Sequence, residues 1–255
     1  MHRALLYSCV LLAACCTSSY AACDTGLAER MHAKLHPKRS LDHERAVCEP
    51  WRGVPGRYIV ALPMPRPASD PGATQFDLDV LVVQQADNGN TERAKIVSRL
   101  FEEAALDEDA VRIREIRVDT ARYVLAPDAR AFGLRILYQG SSRANPYASE
   151  SLTLYVPQGP RLAKVLHKLE MTLERGEWDT NCSGDFESVH GTLSVMHTAS
   201  NGFADLMLRQ TRSQSRSALQ GDDCVSQESP ATIKSSLLRY DGTVYRPPRR
   251  RATTN

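Results

Sequence analysis

The sequence predicts a mainly β protein of antiparallel meander sheets, sandwich-like in packing, with a short helical hairpin at its N-terminus. Three observations carry this. Several runs alternate apolar and polar residues with a period of two. Turn dipeptides suited to two-residue hairpins separate those runs, and apolar positions four apart are concentrated near the N-terminus. Roughly ten to twelve strands suit two packed sheets. An incomplete propeller-like arrangement is the alternative, because the same strands make about three blades.

Residues 1–21 read as an export signal. Arg3 supplies the positive start, residues 4–16 are apolar, and Ser19-Tyr20-Ala21 puts small residues at the positions a signal peptidase reads. As a helix the apolar run spans about 20 Å, too short for a bilayer core. Leu12-Ala13-Ala14-Cys15 offers the alternative of a lipobox, with Cys15 lipidated as the mature N-terminus. Cleavage after Ala21 leaves four of the 7 cysteines, Cys23, Cys48, Cys182 and Cys224. That even set suits two disulfides in an oxidising compartment, whereas lipidation would strand Cys16 as a free thiol. Three connectivities are open. Cys23–Cys48 with Cys182–Cys224 is favoured, since each closes a local loop. The spacings match no common zinc finger, and no Cys-x-x-Cys is present.

Residues 22–56 form a small disulfide-tied helical segment. Asp24 or Thr25 caps a helix over 27–36, Pro37 stops it, and Ser40 caps a second turn over 41–47. The Pro- and Gly-rich stretch 66–75 reads as a loop. The β-rich domain is 57–246. Strand patterning covers 57–62, 78–83, 132–138 and 152–156, and Val165, His167, Leu169, Met171 and Leu173 share one face of a further strand. Asn88-Gly89, Asn201-Gly202 and Asp241-Gly242 mark hairpins, pairing 186–198 with 203–210 and 232–240 with 243–246. Residues 98–106 read as a helix and 209–229 as a long polar loop. Residues 247–255 are a basic disordered tail in which Arg249, Arg250 and Arg251 offer peripheral contact with anionic surfaces.

The chain has 255 residues, 42% hydrophobic, with 32 Lys+Arg against 30 Asp+Glu. That hydrophobic share excludes a disordered protein, and a net charge of +2 argues against coating nucleic acid. Glu177, Trp178 and Asp179 are the candidate ligand-binding residues. Two carboxylates beside an aromatic suit a sugar, or an acid/base pair if about 5–9 Å apart. A packed Trp in a charged turn is the plainer reading. His32 and His36 have the i, i+4 spacing that can present two imidazoles to a metal, but a solvated helix face explains them as well. His167 and His197 fit half-buried strand histidines. Neither Asp87-Asn88-Gly89-Asn90 nor Asp222-Asp223 has the ligand series of a calcium loop. Nucleophile-elbow, zincin, phosphate-loop and dinucleotide motifs are absent from the sequence.

Asn201-Gly202-Phe203-Ala204-Asp205-Leu206 resembles the end of an FG-GAP-type propeller repeat, without its acidic series and without repetition. The signal, the cysteine pairs, residues 176–182 (GEWDTNC) and 238–245 (LRYDGTVY) resemble exported β-rich proteins of proteobacteria. That resemblance implies an envelope location and no activity. The expectation is a periplasmic or secreted, non-enzymatic binding or structural protein. Its partner is an envelope or extracellular protein or a glycan, with no cofactor, catalytic residue, metal, nucleic acid or transmembrane helix. A polysaccharide hydrolase using Glu177 and Asp179 is one alternative. An outer-membrane lipoprotein scaffold is another.

Overall fold

The computed structural model describes residues 23, 25–67, 72–85 and 91–246. The export signal, Cys15, the Asn88-Gly89 turn and the tail arginines lie outside the described residues. Helix α1 (Leu27–Leu35) is followed by twelve strands: β1 (Val47–Pro50), β2 (Arg57–Pro65), β3 (Thr74–Gln84), β4 (Lys95–Glu108), β5 (Val111–Ala126), β6 (Ala129–Gly140), β7 (Tyr147–Gln158), β8 (Arg161–Trp178), β9 (Gly184–Ser200), β10 (Phe203–Gln220), β11 (Asp223–Tyr240) and β12 (Tyr245–Arg246). Pairing is antiparallel except for one parallel bridge between β4 and β8, Arg99 to Arg161. The sheet runs β1-β2-β3-β4-β8-β9-β10-β11-β12, and the β5-β6-β7 meander joins it through β8. It does not close into a barrel, and no helix among the described residues is long and apolar enough to cross a membrane.

The mainly β, sandwich-like expectation holds, and its core explains why. Ile59, Phe76, Leu78 and Val80 from β2 and β3 pack against Ile113, Ile116, Phe132 and Leu134 from β5 and β6. Phe132 is fully buried, with its ring edge-on to Trp51 at 5.4 Å and stacked on Tyr155 at 5.5 Å. The opposite face of β2 and β3 is covered by α1 through Leu27, Ala28 and Met31. A third cluster joins Leu152, Leu154 and Val165 of β7 and β8 to Leu206, Leu208 and Leu238 of β10 and β11.

The N-terminal hairpin is half right. Helix α1 forms, preceded by Gly26 rather than a side-chain cap. The second turn is instead an Asp42-capped bend leading into β1. Asp42 Oδ1 accepts the N–H groups of Glu44 and Arg45, and β1 pairs with β2. Cys23–Cys48 ties α1 to that strand, and Cys182–Cys224 ties the β8–β9 turn to the β10–β11 hairpin, so both favoured disulfides are present.

Three expectations are corrected. Residues 98–106 belong to β4, because ladder pairing to β3 overrides the helix propensity of Glu, Ala and Leu. Residues 209–229 are β10 and β11, paired from Leu206–Leu238 to Gln220–Asp223 around Gly221. Their two polar faces hide the strand signal, since backbone pairing needs no apolar residue. In β8 the simple alternation fails. Three register shifts against β7 leave Val165, one residue of the His167-Lys168 pair, and Met171 without partners. Such bulges bend the strand and re-aim side chains. His167 is therefore exposed, whereas Val165, Leu166 and Met171 are buried.

Phe132→Ala removes the ring packed between Trp51 and Tyr155 at the centre of the core. It should lower unfolding free energy by about 3–5 kcal/mol, read as a reduced urea midpoint with unchanged slope. An unmoved midpoint would sink this account of the core.

Candidate functional site

The ladder at the end of β8 determines which candidate residues meet. Directly paired residues of adjacent strands share a sheet face. Glu177 pairs with Asp185 and Trp178 with Gly184, so the carboxylate and the indole lie on opposite faces. Asp179 follows the strand. Its Oδ1 accepts backbone N–H groups from Asn181 (2.8 Å), Cys182 (2.8 Å) and Ser183 (3.0 Å). The Asn181 bond leads in holding its carboxyl below the ordinary carboxylate range, with Ser183 and Cys182 adding to it. Asp179 thus caps the β8–β9 turn, which Cys182 staples to β11.

On the Trp178 face, the register lines up Gln139, Ala148, Glu174, Ser188 and Ser213 across five strands. The neighbouring row is Gly176, Phe186, Ser215 and Glu228. Together with Ser141, Ser142 and Arg143 of the β6–β7 loop, all of these residues but Gly176 line a cavity of about 800 Å³. In β10, Thr211, Ser213, Ser215 and Ser217 on this face are half-buried, whereas Arg212, Gln214 and Arg216 on the other are exposed.

Phe186 lies flat on its strands. A Cβ at Gly176 would stand 2.5 Å from Phe186 Cδ1. One at Gly184 would meet Phe186 Cε2 at 3.0 Å and Trp178 Cδ1 at 3.1 Å. Two strand glycines therefore make room for aromatic rings against the backbone, a recognised use of glycine in strands. Ser and Gln side chains around them add donors and acceptors, and Glu174 and Glu228 form no ion pair among the described residues.

The other face is built differently. It has a cavity of about 820 Å³ lined partly by Tyr147, Glu177 and Arg216, and Phe186 and Ser215 line this cavity as well as the first. There Arg175 Nε donates to Glu187 Oε2 at 2.7 Å, Arg212 pairs with the same carboxylate, and Arg216 lies 3.6 Å from Asp185. These charges are largely satisfied by one another.

The remaining candidates are placed elsewhere. His36 Nε2 lies 2.7 Å from Asp79 Oδ2, within an ion-pair group that includes Arg99. Asp79 is fully buried, so this group is a structural anchor for α1. His32 is 6.2 Å from His36 between ring centroids, and burial pushes its imidazole below the ordinary value. No group of three His, Cys, Asp or Glu among the described residues is placed to hold a metal. His197 is exposed on β9. Asn201-Gly202 forms its turn with φ of +49° and +88°.

Of the three candidate residues, only Trp178 stands on the aromatic face. Phe186, Ser188, Ser213, Ser215 and Glu228 are additions made by the fold. The available sequence signal was the pair of glycines, Gly176 and Gly184, flanking the turn and interrupting strands.

Replacing Asp179 by Asn should lower the melting temperature at neutral pH, because charge-assisted bonds to three N–H groups become neutral ones. Asp179's folded-state value is depressed, so its contribution is present above the ordinary value of 3.8 and is lost as pH falls through the lower folded value. The gap between wild type and variant should therefore close on acidification. Equal melting temperatures at pH 7 would refute the capping role.

No family model matches the chain, and neither a curated protein nor a solved structure matches it.

Proposed function

We propose that the protein is an exported, non-enzymatic binding protein, periplasmic or secreted, whose ligand occupies the cavity on the Phe186 face. The observation that carries this is the contrast between the two faces of one sheet. On one, Arg175 and Arg212 are taken up by Glu187. On the other, the cavity reaches Arg175 and Glu187 but also presents Phe186, serines, and Glu174 and Glu228, which form no ion pair among the described residues. Sites of this kind combine a few convergent polar groups with aromatic surface. Two disulfides suit an oxidising, non-cytoplasmic compartment.

Asp179 weakens the hydrolase alternative. A carboxylate held in its charged form by three backbone N–H groups is poorly suited to donate a proton to a leaving group. A lipidated Cys15 would change the anchorage of this body and leave the binding face as it is.

The full-length mature protein, dialysed against soluble envelope extract, should retain a component whose mass is unchanged on release. Ser213→Arg, which fills the cavity, should abolish retention. Chemical conversion of the component would show an enzyme. Equal retention by the variant, or none by the wild type, would overturn the binding role.

A further inference from the structure

We infer that the ligand of this cavity is a glycan chain, with one sugar ring stacked on Phe186 beside Trp178; this rests on the binding role proposed above. Three features of the site select that class. The first is the attitude of the aromatic ring. Gly176 and Gly184 leave room for the Phe186 ring close over the backbone, and Phe186 is only half-buried, so part of the ring stays open at the cavity. A flat apolar face matches the C–H face of a pyranose, which is apolar in the middle and hydroxylated at its rim.

The second feature is what surrounds the ring. Ser188, Ser213 and Ser215 lie beside it in the paired rows, with Glu174 midway along one row and Glu228 at the end of the other. Hydroxyls donate and accept, and ionised carboxylates accept in pairs, which suits the vicinal hydroxyls of a sugar. The third is shape. The row from Gln139 to Ser213 crosses four strand spacings, about 19 Å at ~4.8 Å each. A chain of several residues fits along it.

The same features disfavour other ligands. An acyl chain needs an apolar lining, and this one is rich in serine and charge. A polyanion needs cations, but Glu174, Glu187 and Glu228 outnumber Arg143 and Arg175 in this lining. A strand-adding peptide needs a free backbone edge, whereas the cavity floor is the face of paired strands β7 to β11.

The test is calorimetric titration of the mature, disulfide-intact protein with three neutral tetrasaccharides: a β-1,4-glucan, a β-1,3-glucan and the N-acetylglucosamine oligomer. At least one should bind. Phe186→Ala should weaken it by about tenfold or more, as loss of a stacking platform does. Glu174→Gln, on an exposed strand position, should weaken it several-fold with an unchanged melting temperature, which keeps the test valid if Phe186→Ala is unstable. Binding indifferent to both variants would overturn the inference. If no tetrasaccharide binds while envelope extract yields a retained peptide or lipid released by Ser213→Arg, the glycan falls and the binding role stands. If neither a sugar nor an extract component is held, both fall together.

Discussion

The bend in β8 is the constraint on which the rest of the molecule depends. Three extra residues on β8, from Val165 to Met171, bend this strand while β7 follows it from Gln158 to Tyr147. Each bulge adds local twist and shifts the side-chain alternation by one residue. The first half of β8 therefore contributes Leu162 and Leu166 to the body. The last seven residues, from Thr172 to Trp178, carry the ladder to β9 and onward. Without those bulges Met171 would be paired and the following residues would be turned over. The face now holding Trp178 and Phe186 would hold the ion-paired charges instead.

Stability is distributed unevenly as a result. The body has two apolar layers, α1 against β2–β3 and β2–β3 against β5–β6, with the Phe132 aromatic group at the centre. The far ends of β9, β10 and β11 have little apolar burial and keep their form through backbone pairing, ion pairs and a disulfide across 42 residues. Closing a loop of that length contributes roughly 4 kcal/mol when the native geometry is unstrained. The disulfide joins the Asp179 turn, so it braces the end of the sheet where Trp178 and Gly184 lie. The proposed binding face is made of sheet rather than loops and so is pre-ordered, which would reduce the entropy lost when a ligand docks.

Much of the architecture was legible residue by residue. Period-two runs located β2, β3, β6 and β7, and glycine-containing dipeptides located the β9–β10 and β11–β12 turns, because half-burial and positive φ both leave marks on residue choice. Cysteine parity led to the observed disulfides. What failed did so for identifiable reasons. Between 209 and 229, β10 and β11 carry mostly polar residues on both faces, so no apolar period recurs there. In β4, the run Phe101 to Leu106 has helix-forming composition, and only its neighbour β3 makes it a strand.

For the candidate site, the sequence by itself determined the disulfide-stapled β character and drew attention to Glu177, Trp178 and Asp179 as a cluster. Only the tertiary structure separated them. Alternation along a strand sends adjacent residues to opposite faces, so Glu177 and Trp178 part company, and backbone capping occupies Asp179. Phe186 reaches Gly176 across the ladder, while Ser213, Ser215 and Glu228 come from strands a further 25 or more positions along the chain. Proximity of that kind is set by register between strands, and a linear sequence does not state its register where both faces are polar.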